Sequence, residues 1–261
     1  MTKAGAGPRL PSGETKLLDA EVYDRAILNP SVRRIFRGAD YYNVGYWRDL
    51  GERGDIVGAC AALIDRQLGE DPPEAARACR VVVDVGCGLG AGTARIASHY
   101  PDAATYGVNY SVNQVRHARR HHSGDAAFLV MDATRLAFAD RSVDRIHSIE
   151  AAMHFRSRLA FLVEAERILR PGGRLILTDM VVTAPNNVVP PSNVTPSTEA
   201  YLSVCRGAGF SVAGWFDLTK DTILPFRAYL EASKLANLSR FFAGMVDRYL
   251  LVVLEKRPNP P

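Results

Sequence analysis

A chain of 261 residues and 28.5 kDa, 47% hydrophobic and 23% charged, can bury the core of one large α/β domain, or of one domain with a small cap. A net charge of +4 is too small to mark a nucleic-acid binder, and no apolar run reaches the roughly 18 residues of a membrane span. Cys60, Cys79, Cys87 and Cys205 are scattered without CxxC spacing, which speaks against a zinc site or a disulfide framework and agrees with a reducing, cytoplasmic setting.

Met1 to Lys16 is polar and Gly/Pro-rich, lacks the apolar segment of a secretion signal, and reads as a flexible tail. Residues 17–37 read as helix: Leu17, Leu18, Val22, Ile27 and Leu28 recur at near-helical spacing, and Asn29-Pro30 breaks the run. The aromatic stretch Tyr41-Tyr42-Asn43-Val44-Gly45-Tyr46-Trp47 follows, then a second helix over about 53–69, ended by Asp71-Pro72-Pro73. Residues 17–70 thus form an N-terminal helical lid segment, and 71–261 the core. The basic clusters Arg33-Arg34-Arg37 and Arg116-His117-Arg119-Arg120 read as solvated helix faces.

From residue 80 strands and helices alternate. Val81-Val82-Val83 leads through a glycine loop into a helix, Ala91 to His99. Strands at 104–108, 127–130, 143–148 and 174–178 alternate with helices at 112–121 and 158–170; Pro171-Gly172-Gly173 turns the chain into the last of these strands. Such alternation implies right-handed crossovers and a largely parallel sheet. A Pro/Asn-rich loop at 183–197 is a short lid. A helix at 198–208, a strand at 210–218, a helix at about 223–243 and the apolar strand 249–254 complete the chain.

A glycine-rich turn from strand to helix lets backbone approach a ligand and aims helix N–H groups at it. Gly86-Cys87-Gly88-Leu89-Gly90-Ala91 also satisfies the permissive form of the dinucleotide fingerprint. Three features favour S-adenosylmethionine (SAM) over NAD. Asp84 ends the strand, where a carboxylate suits the ammonium of a methionine moiety and is ill placed beside a pyrophosphate. The next strand ends in Asn109 instead of the acid that grips an NAD ribose. Asp132, after the third strand, offers an acceptor to an exocyclic adenine amine.

Val83-Asp84-Val85-Gly86-Cys87-Gly88-Leu89-Gly90 resembles motif I of the class I SAM-dependent methyltransferases. Gly107-Val108-Asn109-Tyr110-Ser111 with Gln114, Phe128 to Thr134 (including Asp132-Ala133), Ser148-Ile149-Glu150 and Leu169-Arg170-Pro171-Gly172-Gly173 are similar, in order, to later motifs of the small-molecule branch. That branch includes sterol-, ubiquinone-type and natural-product-tailoring enzymes. The resemblance implies a Rossmann-like seven-stranded sheet, mostly parallel with the last strand antiparallel, helices on both faces, and SAM over the C-terminal strand ends. It assigns SAM, with S-adenosylhomocysteine as product, to Asp84, Gly86, Cys87, Gly88, Asn109, Tyr110, Gln114, Asp132, Ala133 and Ile149. It also implies that Tyr46 and Trp47 close over the methionine end; the same two rings serve equally as anchors docking the N-terminal helices. Asn109 departs from the acid that many class I enzymes carry, although an amide still bonds a ribose hydroxyl.

Methyl transfer to oxygen needs alignment and a base. His154, just beyond the fourth strand, is the candidate, with Asp179 at the end of the fifth strand to orient the imidazole or take a second proton. Antibiotic-tailoring O-methyltransferases of this branch resemble this arrangement. Glu150, read as one helical turn from His154, orients that ring, binds substrate or satisfies backbone. His99, His117, His121 and His122 read as surface residues, and no metal site is expected. The sequence therefore points to methylation of a small-molecule hydroxyl in secondary metabolism. N- or C-methylation of an amine, indole or prenyl acceptor is the alternative, and a non-catalytic SAM-fold binding protein a distant one. Ser148-Ile149-Glu150-Ala151 lacks the Asn/Asp-Pro-Pro-aromatic tetrad of enzymes acting on nucleic-acid bases. The short 183–197 lid implies a bulky acceptor or a pocket completed by a second chain in a homodimer.

Overall fold

The computed structural model describes residues 20–48, 50, 55–124 and 126–257. The expected tail at 1–16, and Leu17 and Leu18 of the first expected helix, lie outside them. Two short helices open the described chain, α1 (Ala20–Ile27) and α2 (Pro30–Ile35). The break falls where Asn29-Pro30 predicts it: the Asn29 side chain caps the Ser31 N–H at 2.8 Å and Pro30 takes the first helical position. α3 (Ile56–Leu68) is capped by Asp55, whose carboxylate accepts from Gly58 N at 2.7 Å. Asp71-Pro72-Pro73 ends it and also starts a short α4 (Pro73–Arg77), which the reading of those prolines as a stop signal did not anticipate.

The core runs β1 (Val81–Val85), α5 (Ala91–His99), β2 (Ala104–Asn109), α6 (Val112–His121), β3 (Ala127–Val130), β4 (Val143–Ile149), α7 (Arg158–Ile168) and β5 (Leu169–Val181). It continues through α8 (Thr198–Gly207), β6 (Phe210–Asp217), α9 (Ile223–Ala232), α10 (Ala236–Met245) and β7 (Arg248–Lys256). Two boundaries differ from expectation. β5 starts at Leu169, which pairs with Val143 before the register jumps to Arg145 opposite Arg174; Pro171-Gly172-Gly173 is an excursion within the strand. The single helix expected at 223–243 is two, divided at Ser233-Lys234-Leu235, where Lys234 takes a left-handed φ of 63°.

The sheet order is β3-β2-β1-β4-β5-β7-β6, with β7 antiparallel to both neighbours and every other pairing parallel. Strand alternation divides the core between the two faces. Leu175 and Leu177 pack with Phe161 and Leu162 of α7 and with Leu202 of α8, whereas Ile176 packs with Ile56 and Leu63 of α3 and Phe226 of α9. After β1 the chain builds outward through β2 and β3, then returns to place β4 on the other side of β1. That reversal leaves a crevice beyond the carboxyl ends of β1 and β4, where ligands bind in open α/β sheets. No helix among the described residues is long and apolar enough to cross a membrane.

Candidate active site

The crevice begins with the glycine loop. Gly86, Gly88 and Gly90 all have positive φ, 88°, 54° and 99°. A Cβ on Gly86 would lie 2.3 Å from the Ala151 Cβ, so the turn fits against the segment after β4 only without a side chain. A Cβ on Gly88 would meet nothing within 4 Å: that glycine leaves a face open. Asp84, buried at the end of β1, accepts the Thr93 hydroxyl at 2.6 Å, and burial pushes its carboxyl up to about 6. Asp84, Gly86, Gly88 and Ile149 line the crevice from the sheet side. Cys87 also lines the crevice, and it packs in a buried cluster with Val115, Ala118 and Phe128.

The opposite wall is Tyr41, Tyr42 and Asn43. Of the two roles expected for Tyr46 and Trp47, closing over the methionine end and anchoring the N-terminal segment, their contacts in the structure are those of anchors. Tyr46 is buried in the core shared with α3 and α9. The Trp47 indole donates to the Val44 carbonyl at 2.9 Å and packs 5.7 Å from the Tyr229 ring of α9. These two residues anchor the segment, and their neighbours face the glycine loop. The signal lay in the whole run from Tyr41, but spacing alone does not tell which rings turn inward.

At the end of β2 the Asn109 amide donates to the Gln114 side-chain oxygen at 3.0 Å and its oxygen accepts from Ser111 N at 3.1 Å. Asp24 of α1, missed in the sequence, reaches this segment and accepts from Gln114 Nε2 at 3.1 Å. Tyr110 is 47% exposed. Beyond β3, Asp132 accepts from the Thr134 backbone N–H and hydroxyl, both at 2.8 Å, and lies 3.5 Å from Arg156; Ala133 is buried beside it.

The three acid–base candidates separate. His154 ends a 3-10 turn (Ala152–His154), and its Nδ1 lies 2.8 Å from the Val188 carbonyl of the 183–197 loop. A carbonyl only accepts, so Nδ1 carries the proton and Nε2 keeps its lone pair. Burial lowers the pKa of this imidazole, keeping it neutral. Asp179 does not hold the ring. One of its oxygens accepts from Met153 N at 3.1 Å and Met180 N at 3.0 Å; the other accepts from Arg158 Nε at 2.8 Å and the Tyr201 hydroxyl at 3.0 Å. A buried guanidinium needs a counter-charge, and Asp179 supplies it. Glu150 lies at the end of β4, on no helix, with a φ of 50°. Its carboxylate turns from His154 to accept from Val44 N at 2.9 Å and the Tyr249 hydroxyl at 2.7 Å, and burial pushes it up to about 7.

Two histidines read as surface residues are half-buried tethers. His117 and His122 each place Nε2 on the Asp40 carboxylate, at 3.0 and 2.9 Å, beside Arg33 at 2.8 Å. Burial alone would raise Asp40, but hydrogen bonds from His117, Arg33 and His122 hold it down at about 2. That knot fixes the residue preceding the Tyr41–Asn43 wall onto α6.

The donor set suits S-adenosylmethionine. It offers a carboxylate for an ammonium, an open glycine face for backbone contact, an apolar wall at Ile149, and amides at the end of β2 for hydroxyls. Residues 83–177 match the methyltransferase domain family. The chain is 30% identical over 231 residues to an O-methyltransferase of Penicillium expansum, covering 81% of this chain and 78% of that one. It is 32% identical over 201 residues to an O-methyltransferase of Aspergillus nomiae, covering 70% and 86%. In fold it is similar to the [4+2]-cyclase SpnF, with a TM-score of 0.75 at 20% identity, covering 93% of this chain and 98% of that one. The chain belongs to the small-molecule branch of the class I SAM-dependent methyltransferases, enzymes that take their methyl group from S-adenosylmethionine.

Proposed function

We propose that this enzyme methylates a hydroxyl group of a natural-product-type small molecule and that His154 is its general base. One observation carries the reading: the Val188 carbonyl fixes the His154 tautomer and leaves Nε2 as a proton acceptor on an imidazole that burial keeps neutral. The O-methyltransferase names of the two fungal relatives support oxygen as the nucleophile.

Bound S-adenosylmethionine supplies an electrophilic methyl group for in-line displacement. Asp84 would meet its ammonium, and the open face at Gly88 would admit the cofactor against backbone. Asn109 and Gln114 would face its ribose, and Asp132 with Ala133 its adenine; Ile149 walls the crevice. His154 would take the acceptor's hydroxyl proton on Nε2 as that oxygen gains the methyl group and the sulfonium carbon–sulfur bond breaks, leaving S-adenosylhomocysteine. Asp179 acts at a distance: its carboxylate orders Met153 N–H and Arg158, and so the turn that carries the base. The 183–197 loop supplies the carbonyl that orients the imidazole and forms the lid on the acceptor side. Glu150 fastens Val44 to Tyr249 at the floor of the site.

Turnover with labelled S-adenosylmethionine against a panel of hydroxylated, amino and prenyl acceptors tests the assignment. With a hydroxylated acceptor, His154→Ala should lose about 10²-fold or more in turnover while cofactor affinity holds. Near-normal turnover of His154→Ala would overturn the base, and methyl transfer confined to amino or prenyl acceptors would overturn O-methylation.

A further inference from the structure

Asn109 stands where many class I enzymes carry an acid, yet the structure does bring a carboxylate to this place, from the other end of the chain. Asp24 on α1 accepts from the Ser111 hydroxyl at 2.5 Å, from Gln114 Nε2 at 3.1 Å and from Asn113 Nδ2 at 2.8 Å. Gln114 in turn accepts from the Asn109 amide at 3.0 Å. The contact spans 87 to 90 residues of sequence, and every donor belongs to the segment that follows β2. We propose that Asp24 is a cofactor-binding residue whose carboxylate accepts a hydrogen bond from a ribose hydroxyl of S-adenosylmethionine, replacing from the N-terminal helix the acid missing at Asn109. The proposal rests on the reading that Asn109 and Gln114 face the ribose.

Chemistry favours this over a plain tether. Among the described residues the three side-chain donors on Asp24 are uncharged, and a neutral amide or hydroxyl acceptor would serve them without the cost of desolvating an anion. A vicinal diol is a different partner: its hydroxyls are donors that gain most from a charged acceptor. A carboxylate has about four acceptor positions, and on Oδ2 Asn113 takes one. Asp24 orders Gln114, Gln114 orders the Asn109 amide, and the three polar groups form one hydrogen-bonded chain at the end of β2. Cofactor binding and the docking of α1 are then coupled, because the helix brings part of the site with it.

The test is calorimetric binding of S-adenosylhomocysteine and its 2′-deoxy and 3′-deoxy analogues to the full chain, with Asp24→Asn and Asn109→Ala alongside. The wild type should prefer S-adenosylhomocysteine over at least one deoxy analogue by about 10- to 100-fold, the range of a hydrogen bond to a charged group. Asp24→Asn, which keeps the size and polarity of the side chain, should lose affinity for S-adenosylhomocysteine by a similar factor and lose most of that preference. Equal weakening toward all three ligands would overturn the proposal and make Asp24 a tether, and so would unchanged affinity. If Asn109→Ala also leaves the preference intact, the ribose lies elsewhere and the underlying reading fails as well. Circular dichroism on Asp24→Asn separates a lost contact from a lost fold.

Discussion

Replacing Arg158 by Met removes the cation at the centre of the polar knot behind the 3-10 turn, leaving most of the aliphatic volume in place. Arg158 is 2% exposed. Its Nε meets Asp179 at 2.8 Å, Nη1 donates to the Asn193 carbonyl at 2.7 Å, and the guanidinium lies 4.8 Å from the Tyr201 ring centroid. Removing one partner of a buried ion pair costs about 3–5 kcal/mol, because the remaining charge is stranded. Here Asp179 keeps two backbone N–H donors and the Tyr201 hydroxyl, which places the loss near the lower end, about 3 kcal/mol. At roughly 2–4 °C per kcal/mol for a chain of this size, the midpoint in scanning calorimetry should fall by roughly 6–12 °C. Arg158→Met with Asp179→Asn should be less destabilised than the sum of the single variants, since the second change removes the stranded charge. Turnover of Arg158→Met should fall further than its folded fraction at the assay temperature, because the lost Nη1 bond holds the Asn193 carbonyl, and Asn193 donates to the Met153 and Phe155 carbonyls that flank His154. A midpoint shift under 2 °C, or strict additivity of the two changes, would refute the assignment of Asp179 as counter-charge.

Gly86→Ala should abolish cofactor binding, measured by calorimetry, and lower the midpoint, since the new Cβ meets Ala151 at 2.3 Å in a backbone of φ 88°; the matched Gly88→Ala, whose Cβ meets no protein atom, should weaken cofactor while costing stability only the left-handed strain of φ 54°, about 1 kcal/mol. Glu150 provides a pH signature. Its folded-state pKa of about 7 lies above the ordinary 4.5, so its contribution to stability is full below pH 4.5 and lost as pH rises toward 7, by about 2–3 kcal/mol. Urea midpoints taken from pH 4.5 to 7.5 should therefore fall more steeply for the wild type than for Glu150→Gln, and parallel profiles would refute it.

The sheet was legible because its signals are local. Apolar strands, Gly86-Cys87-Gly88 and the Asn29-Pro30 break each act within a few residues, and the strand ends bring Asp84, Asn109 and Ile149 to one edge by register alone. The partners of the polar side chains were not legible. Nothing near Asp179 in sequence announces that a buried Arg158 will claim it, nor that the oxygen orienting His154 comes from Val188, 34 residues on. The same holds for Asp40, which turns His117 and His122 from surface residues into tethers. Glu150 was placed by helical spacing from His154, but its φ of 50° ends the strand in a left-handed turn that aims it at Tyr249.

Adjacent residues on α1 reach two sides of the candidate site, and under the proposed roles of Asp24 and His154 this would tie cofactor capture to the state of the base. Asp24 meets Gln114 and Ser111 at the end of β2. Tyr23 stands edge-on to the His154 ring at 5.5 Å between centroids, and its hydroxyl donates to the His154 carbonyl at 3.1 Å. Burial raises the Tyr23 pKa, so the phenol stays a donor at any working pH. The Val188 carbonyl holds the imidazole from the other side. His154 is therefore clamped between a helix from the start of the described chain and a loop from its second half, neither of which belongs to the sheet. Undocking α1 would withdraw Asp24 and unclamp His154 in one motion. A sheet that supplies the rigid edge and two peripheral segments that complete it explain how a common scaffold keeps its cofactor chemistry while the acceptor side changes.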